Sequence, residues 1–97
     1  MRTMMKVKIP VEAGNRCIKD GSIGKILGGV AEAIKPEAAY FGSSNGKRTA
    51  YYVFNLKDPS QIPSIAEPLF NQLNAEIEFM PVMNADDLMK GVSQLPR

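Results

Sequence analysis

Two short segments near opposite ends of the chain mirror each other in charge. Lys6-Val7-Lys8-Ile9 and Glu76-Ile77-Glu78-Phe79 both alternate charged and apolar residues. A period of two is that of a strand with one buried face and one polar face. Set side by side and antiparallel, the two segments place Lys6 and Lys8 opposite Glu76 and Glu78. Val7 and Ile9 then share a core with Ile77 and Phe79. The first and last strands become neighbours, which leaves few topologies for what lies between.

The intervening residues supply two helical regions and a hairpin. After a first strand over Thr3 to Pro10, Glu12 to Asp20 is short, polar and helical, and Gly21-Ser22 breaks it with Ser22 as the next N-cap. Ile23, Ile26, Leu27, Val30, Ala31 and Ile34 follow at the spacing of one helical stripe, which Lys35-Pro36 stops. Ala38 to Ser43 and Thr49 to Leu56 read as strands, and Asn45-Gly46 between them is a strong two-residue hairpin signal. Asp58 or Ser60 caps a second helix, with Pro59 in the first turn and Gln61 completing a capping box. Its stripe is Ile62, Ile65, Ala66, Leu69, Phe70 and Leu73. Pro68 conflicts with it, deleting a backbone bond to Ser64 and bending the helix. A last strand over Ala75 to Val82 leads to a short C-terminal helix begun at Asn84-Ala85-Asp86-Asp87 and carrying Leu88, Met89 and Val92.

The order is strand, helix, strand, strand, helix, strand. Right-handed crossovers make this an α+β fold: a four-stranded antiparallel βαββαβ sheet in the spatial order four-one-three-two, with both helices on one face. That is the ferredoxin-like arrangement, and it makes strands one and four antiparallel neighbours as the charge mirror requires. The 97 residues are expected to form one such domain over 1–97, with 44% hydrophobic residues to build its core.

Composition removes many functions. There is no histidine, so the usual neutral-pH base and the commonest metal ligand are missing. A single cysteine, Cys17, excludes an internal disulfide and a four-cysteine zinc site, and fits a reducing cytoplasm. Without histidine or a second cysteine to activate it, Cys17 reads as a packing thiol. The net charge of +2, with Lys and Arg scattered, argues against nucleic acid. No segment approaches the ~20 apolar residues of a membrane span. Gly24-Lys25 lacks the first glycine and the Ser or Thr of a phosphate loop, so Gly21, Gly24, Gly28 and Gly29 read as sites of close packing or a kink. No metal or cofactor is expected.

The helices cover one sheet face, with Met5, Val7, Ile9, Ile77 and Phe79. The other would carry Met4, Lys6, Lys8, Glu76, Glu78 and Met80 plus alternate residues of the hairpin. Both alternations there are apolar or aromatic, so the pattern does not fix which residues of those strands look outward. An apolar patch bordered by charge marks an interface. A second copy laid sheet against sheet would give a homodimeric α/β barrel with the Lys/Glu ladder lining its interior. The candidate ligand-binding residues are Lys6, Lys8, Tyr40, Tyr52, Glu76 and Glu78, together with Arg16, whose planar fork suits a carboxylate. Arg16 belongs to a polar cluster with Asn15, Lys19 and Asp20 just after the first strand. The same charges also read as cross-strand pairs on a solvated face.

Met5-Lys6-Val7-Lys8-Ile9-Pro10-Val11 resembles the first strand of muconolactone isomerases, small ferredoxin-like enzymes that shift a double bond in aromatic catabolism. Ala50-Tyr51-Tyr52-Val53-Phe54-Asn55 and Ala75-Glu76-Ile77-Glu78 continue the likeness. The whole chain is more similar to the broad group of small bacterial dimeric α/β-barrel proteins, most of them uncharacterised. The resemblance implies the fold and a homodimer. The functional expectation is a small organic ligand, anionic or neutral, held in a pocket on the open sheet face. Two alternatives stand beside it. One is an isomerase or cofactor-independent monooxygenase-like enzyme moving a proton with Lys6, Glu76 or Glu78. The other is a structural or regulatory dimer without ligand.

Overall fold

The computed structural model describes residues 1–96. Eight residues of alternating burial form β1 (Arg2–Ile9), followed by α1 (Val11–Lys19) and α2 (Ile23–Ile34). Next come β2 (Ala38–Ser44), β3 (Lys47–Asn55), a 3-10 turn (Pro59–Gln61), α3 (Ile62–Leu73), β4 (Glu76–Pro81) and α4 (Ala85–Ser93). The strands make one sheet in the order β2-β3-β1-β4, antiparallel throughout. This α+β sheet is compatible with a ferredoxin-like fold. The mirrored segments meet: Lys6 lies opposite Glu78, Val7 opposite Ile77 and Lys8 opposite Glu76.

Local chemistry explains the boundaries. Asn45 and Gly46 both take positive φ, 55° and 75°, as the two-residue turn between Ser44 and Lys47 requires. Asp58 caps the turn before α3 by accepting from the Ser60 N–H at 2.8 Å, and Gln61 Oε1 accepts from the Asp58 N–H at 3.3 Å, closing the capping box. Asn84 and Asp87 form a second box at the start of α4. One expected cap differs: the Ser22 side chain makes no cap, and the Asp20 carboxylate instead accepts from the Ser22 N–H at 2.9 Å. Glycine at position 21, with φ of 77°, lets the chain reverse between α1 and α2 within that bond.

The core lies between the sheet and α1, α2 and α3. Met5, Val7 and Ile9 from β1 meet Ala50, Tyr52 and Phe54 from β3, under Ala13, Cys17, Val30, Leu69 and Leu73. Each large side chain removed from water here contributes roughly 1.5–3 kcal/mol. Ile77 and Phe79 of β4 pack against this cluster half-buried. Cys17 is a buried packing thiol whose Sγ sits 4.0 Å from the Gln72 carbonyl.

Two helix-breaking features survive inside helices. Gly28 and Gly29 lie within α2, at about 1 kcal/mol each relative to alanine. The expected close packing is absent there: a Cβ placed on Gly24, Gly28 or Gly29 would meet no atom within 4 Å. The glycine that does allow a close approach is Gly14, where a Cβ would stand 2.5 Å from Arg48 Nη1. Pro68 lies within α3, which continues through it, at about 3 kcal/mol in a helix interior.

No described helix is long and apolar enough to cross a membrane. A compact chain of this length has a radius of gyration of about 13 Å. The observed value is 15.5 Å, with extents of 56 × 28 × 17 Å. α4 buries none of its residues and exposes Leu88, Met89 and Val92.

Candidate functional site

Strand register arranges the uncovered sheet face into three rows that cross all four strands. The first is apolar: Ala38, Val53, Met4 and Met80. The second is Tyr40, Tyr51, Lys6 and Glu78, and the third is Gly42, Thr49, Lys8 and Glu76. Beyond the third row Lys47 follows at the hairpin end. The face therefore grades along the strands from hydrocarbon through aromatic to charged.

Lys6, Lys8, Tyr40, Glu76 and Glu78 are brought together on this face. Tyr52 is not. Tyr51 and Tyr52 are consecutive, so one must face each way, and Tyr52 stands beside Met5 in the core with 1% of its surface exposed. Its ring meets that of Phe41 edge-on at 6.0 Å, its hydroxyl donates to the Leu27 carbonyl at 3.5 Å, and burial pushes its pKa up. Tyr51 takes the outward place, with Lys6 Nζ 5.9 Å from its ring centroid, near enough for a cation–π contact.

Arg16 also lies apart. It is an exposed residue of α1, on the helix side of the molecule, beside an open depression of about 530 Å³ lined by Glu12, Asn15, Lys19 and Asp20. Asn15 Oδ1 accepts from Arg48 Nη2 at 3.1 Å. Asp20 is held below the usual carboxylate range, chiefly by its hydrogen bonds with Ser22 and to a lesser extent by Arg16.

The charges of the open face pair differently from a straight ladder. Lys47 reaches across the end of β1 and donates to Glu76 Oε2 at 2.8 Å. That bond and the nearby Lys47 and Lys8 charges hold the Glu76 carboxyl below its ordinary range. Glu76 is thus ionised at neutral pH and is a poor proton donor there. Among the described residues, neither Lys6 nor Lys8 forms an ion pair. Two half-buried lysines without ion pairs therefore lie one row apart on a face with tyrosine on one side and carboxylates on the other.

Arg2 closes the apolar end. Its guanidinium bonds Glu37 Oε1 at 2.7 Å and Asp87 Oδ2 at 3.0 Å, tying the start of α4 to the sheet. Glu37 and Asp87 raise its pKa further. Arg2 and Lys47 shape this face along with Tyr51, and sequence reasoning placed neither of the two cations among the site residues. The hairpin offered a signal, because an Asn45-Gly46 turn fixes Ser44 opposite Lys47 and so Tyr40 opposite Tyr51.

Among the described residues no group of three or more His, Cys, Asp or Glu side chains is placed to hold a metal ion. No protein-family model matches the chain, and no curated protein matches it either.

Proposed function

We propose that the protein acts as a homodimeric α/β barrel, in which two open sheet faces enclose a pocket for a small organic anion. The observation that carries this reading is the row Tyr40–Tyr51–Lys6–Glu78 beside Lys8, with both lysines free of ion pairs among the described residues. An ammonium group beside an aromatic ring suits a planar or branched carboxylate, which would take the charge while the tyrosines take the carbon skeleton. The apolar and aromatic rows make the face worth covering, since Met80 is 43% and Tyr40 70% exposed. α4 starts at that same end and leaves its own apolar side chains uncovered, so one partner could cover both. The lowered Glu76 pKa supports binding over proton transfer.

Sedimentation equilibrium on the wild type and on Tyr51→Glu tests the assembly. The expected result is a wild-type dimer and a folded monomeric variant, because the change removes an aromatic ring from the interface and sets there a charge that must be desolvated even with Lys6 opposite it. A wild-type monomer at micromolar concentration would sink the barrel. Given a dimer, benzoate serves as the probe for the pocket. Saturable shifts of the Lys6 and Tyr51 amide resonances, lost in Lys6→Ala, support an anion site. Their absence would leave the dimer without this ligand class.

A further inference from the structure

On the opposite side of the molecule a cleft of about 280 Å³ opens between α2 and α3, away from the sheet face discussed above. Its apolar lining includes Ile26, Ile34, Ile65 and Pro68. Two weak helix formers line it, Pro68 from α3 and Gly29 from α2, whose other glycines, Gly24 and Gly28, lie outside the lining. Gly29 has no positive φ to require glycine, and a Cβ there would meet no atom within 4 Å. Neither backbone conformation nor tight packing therefore accounts for it. Its effect is to leave the groove open.

One charged side chain lines this cleft, Lys25, and no carboxylate does. Lys25 forms no ion pair among the described residues, and the Gln72 amide lies in the same lining. Apolar walls with a single cation match a ligand that is hydrocarbon at one end and anionic at the other. The volume lies just under the usual range for small-molecule pockets, about 300–1,000 Å³, so the ligand is short. We propose that the α2–α3 cleft binds a small aliphatic monocarboxylate, its chain against Ile26, Ile34, Ile65 and Pro68 and its carboxylate at Lys25.

Octanoate, used below its micelle-forming concentration, is the probe, followed by calorimetry and amide chemical shifts on the full chain. Saturable binding with shifts centred on residues 25–34 and 64–72 is the expected result. Gly29→Leu fills the groove and should abolish that binding while melting no lower than the wild type, since leucine is the better helix former. Lys25→Ala, an exposed change that leaves the packing alone, should weaken octanoate by roughly tenfold and leave octanol unaffected. Three results would overturn the proposal. They are no saturable octanoate binding by the wild type, unchanged binding in Gly29→Leu, or concentration-dependent shifts of the cleft without octanoate, which would mean that a second copy fills it.

Discussion

The two faces of the sheet are built from the same strands, one residue out of step, yet only one is finished by the chain itself. On the helix side Met5, Val7, Tyr52 and Phe54 are at most 2% exposed, and the Tyr52 hydroxyl finds the Leu27 carbonyl. On the other side Met4, Lys6, Tyr51 and Val53, their immediate neighbours in sequence, stay partly open, and Tyr40 and Met80 more so. The charges of β1 and β4 lie on the open face, but apolar content does not separate the two, since each has aromatic and aliphatic groups. What separates them is the supply of helices: α1, α2 and α3 pack on one side, and α4 buries nothing on either. This uncovered face is the one that the proposed second copy and its ligand would cover.

The largest expected contrast comes from adjacent methionines. Met5→Ala empties a fully buried site and should cost about 2–5 kcal/mol, read as a lower urea midpoint at unchanged slope. Met4→Ala, measured at concentrations where the chain is monomeric, should cost under about 1 kcal/mol. Equal losses would mean that the faces are energetically alike, and the distinction would fall.

A smaller effect separates the two tyrosines at alkaline pH. Burial raises the Tyr52 pKa, so the folded state holds that proton longer than the unfolded chain does. The stability involved is fully present below the unfolded value of about 10 and is lost as pH rises through the folded value. Tyr52→Phe should flatten this alkaline decline in denaturation midpoints, whereas Tyr51→Phe should leave it unchanged. A decline that survives Tyr52→Phe would assign it to another group.

The smallest effect sharpens the picture of the charged row. The Glu76 pKa is lowered first by its bond with Lys47, then by the Lys47 and Lys8 charges. Its contribution is therefore present above the ordinary carboxylate pKa and lost as pH falls through the depressed one. Lys47→Ala should return the Glu76 side-chain titration, followed by NMR, toward its normal position with little change in stability. Lys8→Ala should move it less. Equal shifts would mean that the straight pair across β1 and β4 matters as much as the diagonal one.

Much of this architecture is written in short-range patterns. The Lys6-Val7-Lys8-Ile9 and Glu76-Ile77-Glu78-Phe79 alternation announces a pairing that the register bears out, and Asn45-Gly46 announces its turn by the only geometry a two-residue loop readily takes. The Asp58 and Gln61 box is legible for the same reason: its partners are three residues apart. Longer reach defeats the reading. Glu76 faces Lys8 by register but bonds Lys47, because a lysine side chain spans diagonally across a strand. The choice between Tyr51 and Tyr52 depends on which parity the helices cover, and an aromatic pair gives no parity. The α2–α3 cleft depends on how two helices lie together, so Gly29 and Pro68 look in sequence like unrelated faults.

The position of β1 in the middle of the sheet has a further consequence, for the order of events in folding. The β2–β3 hairpin is local and can close within microseconds. β1 must instead capture both β3 and β4, the latter from the far end of the described chain, so its second edge waits on the costliest loop closure in the molecule. Until then a strand bearing Met4, Met5, Val7 and Ile9 has an unpaired edge, and the lysines at positions 6 and 8 are the charges that keep like strands from adding to it. Lys6 and Lys8 thus guard the nascent sheet as gatekeepers before they face anything in the finished one.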